Sequence, residues 1–268
     1  MIGLCNLRRG LHLSNLQVNT MMQKTNSALR ELGEPSTLNQ PFVIRSSADF
    51  AYIQCALSRQ ALDRYANHEV QIETPSGAQV GDKLSNFLRL YDTNRHGYYV
   101  KSQLASELDP ALFASLPLEL RKVNWLASLP TDLRPNWLWI LIGTSGSRSP
   151  MHVDTMASSA WNFLVEGEKD WTFHSPAWSQ RTGLLPALTS LKSCGESTIT
   201  FRQEPGDIVF TPSGWAHEVE NYSPSIAITG NFLNAANIDI AIEFFKVTAE
   251  PDLATLCEDV KRAFNANN

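Results

Sequence analysis

The stretch that most limits how this chain can fold runs from Gly206 to Asn221. It reads Gly206, five residues, Pro212, one residue, Gly214, two residues, His217, three residues, Asn221. Gly206-Asp207 is turn chemistry that leads into the apolar run Ile208-Val209-Phe210-Thr211. Pro212 and Gly214 then make a tight turn out, the proline by presetting φ and the glycine by tolerating positive φ. The chain must reverse there, and the returning strand is expected to carry His217 toward the interior of a barrel.

The surrounding sequence agrees with that frame. Strand-like runs fall at Trp137–Ile142, His152–Asp154, Ala160–Val165, Lys169–His174, Ser197–Gln203, Asp207–Thr211, His217–Asn221 and Ser225–Phe232, separated by turn residues. Many short strands with turn signals point to a sandwich or barrel. Residues 10–32 read as mostly helical. A helix is expected over Phe50–Tyr65 and another over Lys83–Asp92, with strands at Phe42–Arg45, Gln71–Thr74 and Gly97–Val100. Residues 101–135 read as short helices broken by prolines, and 235–266 return to helical spacing. The fold class expected is mainly β with helical flanks. Residues 1–136 form a support region packed on the barrel, 137–234 the β core and 235–268 the C-terminal helices, within one structural domain.

Composition sets outer bounds. The 268 residues are 43% hydrophobic and 18% charged, with a net charge of −5. That is too few charges for a disordered chain, and no apolar run is long enough for a membrane helix. The acidic balance argues against a nucleic-acid partner. Cys5, Cys55, Cys194 and Cys257 form no close pair, which suggests reduced thiols and a cytoplasmic location. Residues 1–30 hold Arg8, Arg9, Lys24 and Arg30 and no acid, so a targeting segment stays open beside a structured one.

His152-Val153-Asp154 sets an imidazole and a carboxylate two positions apart, on one face if the segment is a strand. His217 lies 65 residues further on. Two histidines and one carboxylate with open coordination positions are the facial triad of non-haem Fe(II) oxygenases. A zinc hydrolase uses the same ligand types, and a His-x-Asp pair alone also occurs in proteins that bind no metal. Trp161, Trp171 and Trp215 read as core or rim aromatics.

The spacing from Gly206 to Asn221 resembles the second signature of the cupin superfamily. Gly146, five residues and His152 resemble the first, with Asp154 in place of its second histidine. Within that superfamily, Ser149-Pro150-Met151-His152-Val153-Asp154, the run Ser159-Ala160-Trp161-Asn162 through Trp171, and Ile226-Ala227-Ile228-Thr229-Gly230-Asn231-Phe232 are similar to the JmjC family, nearest its lysyl hydroxylase subgroup. The resemblance covers residues 137–233 strongly and 40–136 faintly.

It implies a double-stranded β-helix, or jelly roll, and an Fe(II)- and 2-oxoglutarate-dependent oxygenase that consumes O2 and releases succinate and CO2. His152, Asp154 and His217 would hold Fe(II). Lys169 would anchor the distal carboxylate of 2-oxoglutarate, with Ser149, Thr229, Asn162 and Tyr99 as further contacts; without the resemblance Lys169 reads as a turn-exposed lysine, and Tyr98 competes with Tyr99. Asn231 and Arg148 are candidate substrate contacts, Arg148 at the mouth of the site. The implied substrate is a protein or peptide side chain or a small molecule, and demethylation remains an open outcome of the same chemistry. The C-terminal helices are expected either to form a homodimer or to cover the barrel. The alternative function is a cupin-like metal-binding or interaction protein that is not an oxygenase.

Overall fold

Leu138, Ile140 and Ile142 are buried in the main core, while Trp139 and Leu141, one step out of phase, line a cavity on the other side of the same strand. This period-two division of side chains recurs through the molecule and makes its sheets two-sided. The computed structural model describes residues 18–19, 21–24, 29–30, 32, 39–46, 48–191 and 195–266.

In chain order the strands are β1 (Val18–Asn19), β2 (Met22–Lys24), β3 (Phe42–Ile44), β4 (Glu69–Glu73), β5 (Gln79–Lys83), β6 (Tyr99–Leu104), β7 (Leu138–Gly143), β8 (Arg148–His152), β9 (Ser159–Glu166), β10 (Lys169–His174), β11 (Thr198–Gln203), β12 (Ile208–Thr211), β13 (Ala216–Asn221) and β14 (Ser225–Phe232). The helices are α1 (Ala51–Ala56), α2 (Leu84–Asp92), α3 (Ala105–Leu108), α4 (Ala111–Ala114), α5 (Leu118–Lys122), α6 (Pro176–Arg181), α7 (Ile238–Val247) and α8 (Pro251–Ala266).

The strands form two sheets. One has the order β1-β11-β10-β13-β8, the other β2-β3-β12-β9-β14-β7-β6-β4-β5. β12 and β13 therefore belong to different sheets, and the Pro212–Gly214 turn carries the chain across from one to the other. Gly214 sits at φ +80°, the conformation glycine adopts without cost. Together the sheets make a jelly roll. Met21, Val43, Trp171, Phe173, Ile199, Val209 and Trp215 fill part of the space between them.

The outer face of the nine-stranded sheet is covered by the first half of the chain. Leu112, Leu116 and Leu120 from the short helices pack with Ile140, Phe163 and Ile228 of the sheet. Phe50 stacks on Phe163 at 4.2 Å between ring centroids. The apolar faces of α7 and α8 (Ile238, Ala241, Phe245, Cys257, Val260) close on one another and on Leu126, Leu129 and Leu233.

Four expectations need correction. The helix expected over Phe50–Tyr65 is broken into α1 and a 3-10 helix at Ala61–Tyr65. Where residues 10–32 are described, Val18–Asn19 and Met22–Lys24 are strands, running parallel to β11 and β3; free edge hydrogen-bonding groups outweigh local helical preference there. Residues 101–104 continue β6 because Gln103 and Leu104 pair with Ile140 and Trp139. And β8 ends at His152, so Asp154 lies just beyond the strand, leading into a 3-10 turn at Thr155–Ala157.

Phe163→Ala removes a fully buried ring from the contact between the sheet and its cover. It should cost about 3–5 kcal/mol, a fall in melting temperature of roughly 6–20 °C for a chain of this size. A thermal melt checks this, and an unchanged midpoint would contradict the described packing.

Candidate metal centre

β13 and β8 lie side by side, with His217 directly opposite His152 and Val219 opposite Ser149. Two residues on β13 thus face three on β8, a β-bulge. The extra residue brings Ser149 and His152, three positions apart, to the same interior face; in a regular strand they would point oppositely. The two imidazole centroids are 4.2 Å apart.

Asp154 joins them from the turn after β8, and one ligand atom from each of His152, Asp154 and His217 lies within 4.8 Å of the others. Both rings are oriented through Nδ1. His152 Nδ1 donates to the Pro150 carbonyl at 2.7 Å and His217 Nδ1 to the Trp215 carbonyl at 3.2 Å. A carbonyl accepts only, so each Nδ1 carries the proton and each Nε2 lone pair is free for a metal. Burial pushes the His217 pKa down to about 4, which keeps its ring neutral, the form that ligates. Trp171 and Phe173 pack around His217 at 5.8 and 5.6 Å.

Asp154 Oδ2 is buried without a hydrogen-bond partner. A buried carboxylate oxygen left unpaired is costly, and a divalent cation between it and the two imidazoles removes that cost. The donor set, two nitrogens and one oxygen with the remaining directions open to a cavity, fits a metal of the Fe(II) or Zn(II) class.

That cavity has a volume of about 280 Å3 and is walled by both sheets. Lys169, the first residue of β10, is 1% exposed, and its Nζ donates to Asn221 Oδ1 at 2.8 Å. No carboxylate pairs with it among the described residues, and burial pushes its pKa down to about 7. The Tyr99 ring lies 5.7 Å from the ammonium, and burial raises the Tyr99 phenol to about 12, so the hydroxyl stays protonated. Tyr98 packs against the main core instead.

Of the other residues singled out in the sequence, Ser149, Asn162, Thr229 and Asn231 all line this cavity. Three have other bonds as well. Thr229 Oγ1 donates to the Trp161 carbonyl at 2.7 Å, Asn231 Nδ2 to Ser158 Oγ at 2.9 Å, and the Asn162 side-chain oxygen accepts from Gln203 Nε2 at 3.3 Å. Arg148 is placed elsewhere. Its side chain is 66% exposed and pairs with Glu220 at 2.7 Å across the β8–β13 ladder; it does not line the cavity. Trp161, Trp171 and Trp215 are buried.

Sequence reasoning missed Asn221 as a working residue. Besides holding Lys169, it accepts from Ser225 Oγ at 2.6 Å and donates to Ser147 Oγ at 2.7 Å. Its amide approaches Gly143 so closely that a Cβ there would sit 1.9 Å from Nδ2. The signal was present: Asn221 closes the spacing that begins at Gly206. Lys101 and Trp139 also line the cavity, with Lys101 paired to Glu73 at 2.6 Å; nothing in the sequence marks either.

A metal that bridges these three ligands should raise the melting temperature when Mn(II) or Fe(II) is added. Asp154→Ala should abolish that rise. A metal-induced shift that survives Asp154→Ala would place the ion elsewhere.

Comparison with known proteins matches residues 19–237 to the cupin-like domain family. The lysine-specific demethylase JMJ21 of Arabidopsis thaliana is 25% identical over 240 residues, 80% of this chain and 25% of that protein. The 2-oxoglutarate and iron-dependent oxygenase JMJD4 of Homo sapiens is 33% identical over 118 residues, 38% of this chain and 28% of that protein. The bifunctional arginine demethylase and lysyl-hydroxylase psr-1 of Caenorhabditis elegans is 29% identical over 129 residues, 40% of this chain and 32% of that protein. The chain spans only about a quarter to a third of the length of such relatives.

Proposed function

The chain belongs to the cupin-like domain family, and from that premise we propose that it is an Fe(II)- and 2-oxoglutarate-dependent oxygenase that hydroxylates a C–H bond. One observation carries the reading. A single cavity sets two imidazoles and a carboxylate with an orphaned oxygen beside a buried ammonium that has no counter-charge among the described residues. An interior of that kind suits a metal cation at one end and an organic dianion reaching to the other. The relatives named as iron- and 2-oxoglutarate-dependent oxygenase, demethylase and lysyl-hydroxylase support the same chemistry.

His152, Asp154 and His217 would hold the iron, which with 2-oxoglutarate and O2 supplies the oxidising power to insert one oxygen atom into a C–H bond, releasing succinate and CO2. The chain's own residues bind and orient. Lys169 takes the distal carboxylate of 2-oxoglutarate, helped by the Tyr99 and Ser149 hydroxyls that face the same space. Asn221 fixes the ammonium; Thr229 and Asn162 border the cosubstrate, and Asn231 borders the open side of the cavity. The enclosing Trp171, Val219 and Leu141 keep water sparse around the reacting centre.

An adjoining cavity of about 440 Å3 lined by Val153, Met156, Leu184, Phe244 and Leu253 shares Asp154 and Thr155 with the metal cavity. It gives room beside the metal ligands for a protein or peptide side chain or a small molecule as substrate. The net charge of −5 weighs against nucleic acid. No helix among the described residues is long and apolar enough to cross a membrane, and the free thiols of Cys55 and Cys257 suit a reducing, cytoplasmic setting. A homodimer through the C-terminal helices would have to use Val247 and Leu253, which are exposed, because the other apolar faces of α7 and α8 are consumed within the chain.

Turnover of 2-oxoglutarate to succinate, followed with Fe(II) and O2, should occur in the wild type and vanish in His152→Ala. Tightly held zinc with no effect of 2-oxoglutarate on stability would instead favour a cupin-like protein that is not an oxygenase.

The Lys169 reading has its own pH signature. The amine carries its charge below about pH 7 in the free protein and loses it above, so 2-oxoglutarate affinity should weaken by up to about tenfold per pH unit on the alkaline side. Binding at pH 8 should take up protons, measurable by calorimetry in buffers of different ionisation enthalpy. Lys169→Met should bind weakly and show no proton uptake.

A further inference from the structure

A second cavity, of about 160 Å3, lies behind the nine-stranded sheet between α4, α5, the segment 134–138 and the end of β14. Trp161 and Asn231 border both it and the metal cavity. The Trp161 indole rests on Gly230, where an added Cβ would stand 2.9 Å from the ring; the missing side chain keeps this floor flat. Leu120 and Trp137 make the walls apolar, and Phe113, half exposed, stands at the rim.

The charged groups of this cavity are all of one sign. Arg121 and Arg134 line it and no aspartate or glutamate does. Arg134 Nε is satisfied by the Leu129 carbonyl. Arg121 Nε is buried with no hydrogen-bond partner, and no ion pair reaches the guanidinium among the described residues. A guanidinium cannot discharge itself by losing a proton, so an unmet buried donor on it carries a standing cost that an acceptor would lift. Its planar fork of donors matches a carboxylate. An apolar cavity of about 150 Å3 has room for a benzene-sized body.

We propose that this cavity is a second ligand site, distinct from the metal centre, for a small organic carboxylate with an aromatic or short aliphatic body, its charge held by Arg121. The assignment does not depend on the oxygenase reading, and its test uses no turnover.

Benzoate is the probe, with benzamide as its uncharged counterpart, titrated calorimetrically into the full chain. Saturable benzoate binding is expected, with benzamide weaker by about tenfold or more. Lys169→Met should leave benzoate binding intact, which separates this site from the metal cavity. Arg121→Met should lose at least about tenfold in affinity while its melting temperature holds or rises, because the substitution keeps the aliphatic stem and removes the buried Nε donor that lacks a partner; a residue with a purely structural role would lower it. Ala127→Leu, which intrudes on the cavity and leaves Arg121 in place, should also block the ligand. Absence of saturable binding, equal binding of benzamide, or full binding by folded Arg121→Met would each overturn the proposal.

Discussion

The pairing of β8 with β13 is the constraint on which the chemistry of this molecule depends. Ladder hydrogen bonds fix His217 against His152, and the bulge one step further along turns Ser149 inward as well. Neither histidine has to be positioned by its own side-chain freedom. Their rings are held by carbonyls of residues two positions earlier, Pro150 and Trp215, so the backbone that builds the ladder also selects the tautomer. Asp154 is the exception, since it comes from the turn. The third ligand therefore depends on the turn after β8, where Met156 and Ala157 adopt positive φ, a conformation that costs a non-glycine residue about 1–3 kcal/mol and persists when the surroundings impose it.

The second consequence is electrostatic. Closing two sheets over Lys169 places an ammonium where water cannot solvate it, and the nearest compensation is an amide oxygen rather than a carboxylate. The cavity is therefore tuned to accept negative charge at one end, while the orphaned Asp154 oxygen tunes the other for positive charge. Such complementary deficits are poor for stability, and they make sense as half-sites completed by ligands. Arg121 is a smaller case on the far side of the sheet, where one buried guanidinium nitrogen has no acceptor.

Much of this was legible in the sequence because it is local. The turn at Pro212 and Gly214 and the spacing from His152 to Asp154 are short-range patterns, whereas Lys169 reads locally as a turn-exposed lysine and only the family resemblance marks it as an interior residue. What escaped notice depends on partners distant in sequence. Whether Arg148 faces the cavity is decided by Glu220 on the neighbouring strand, seventy-odd residues away. The bulge in β8 is visible only against β13. The chain near Val18 and Met22 becomes strand because β11 and β3 leave edges open beside it, a demand that no window of local sequence contains. Asn221 fell between the two cases: the spacing marked its place, but only the approach of Gly143 and the reach of Lys169 show what it does.

Those two edge strands matter beyond their own hydrogen bonds. Among the described residues, a sheet of five and a sheet of nine each end on one side in a strand of two or three residues. As described, such an edge offers few free groups in register for the edge of another molecule. On one of these borders β2 also carries Lys24, and an edge both short and charged gives little template for strand-to-strand stacking of one molecule on another.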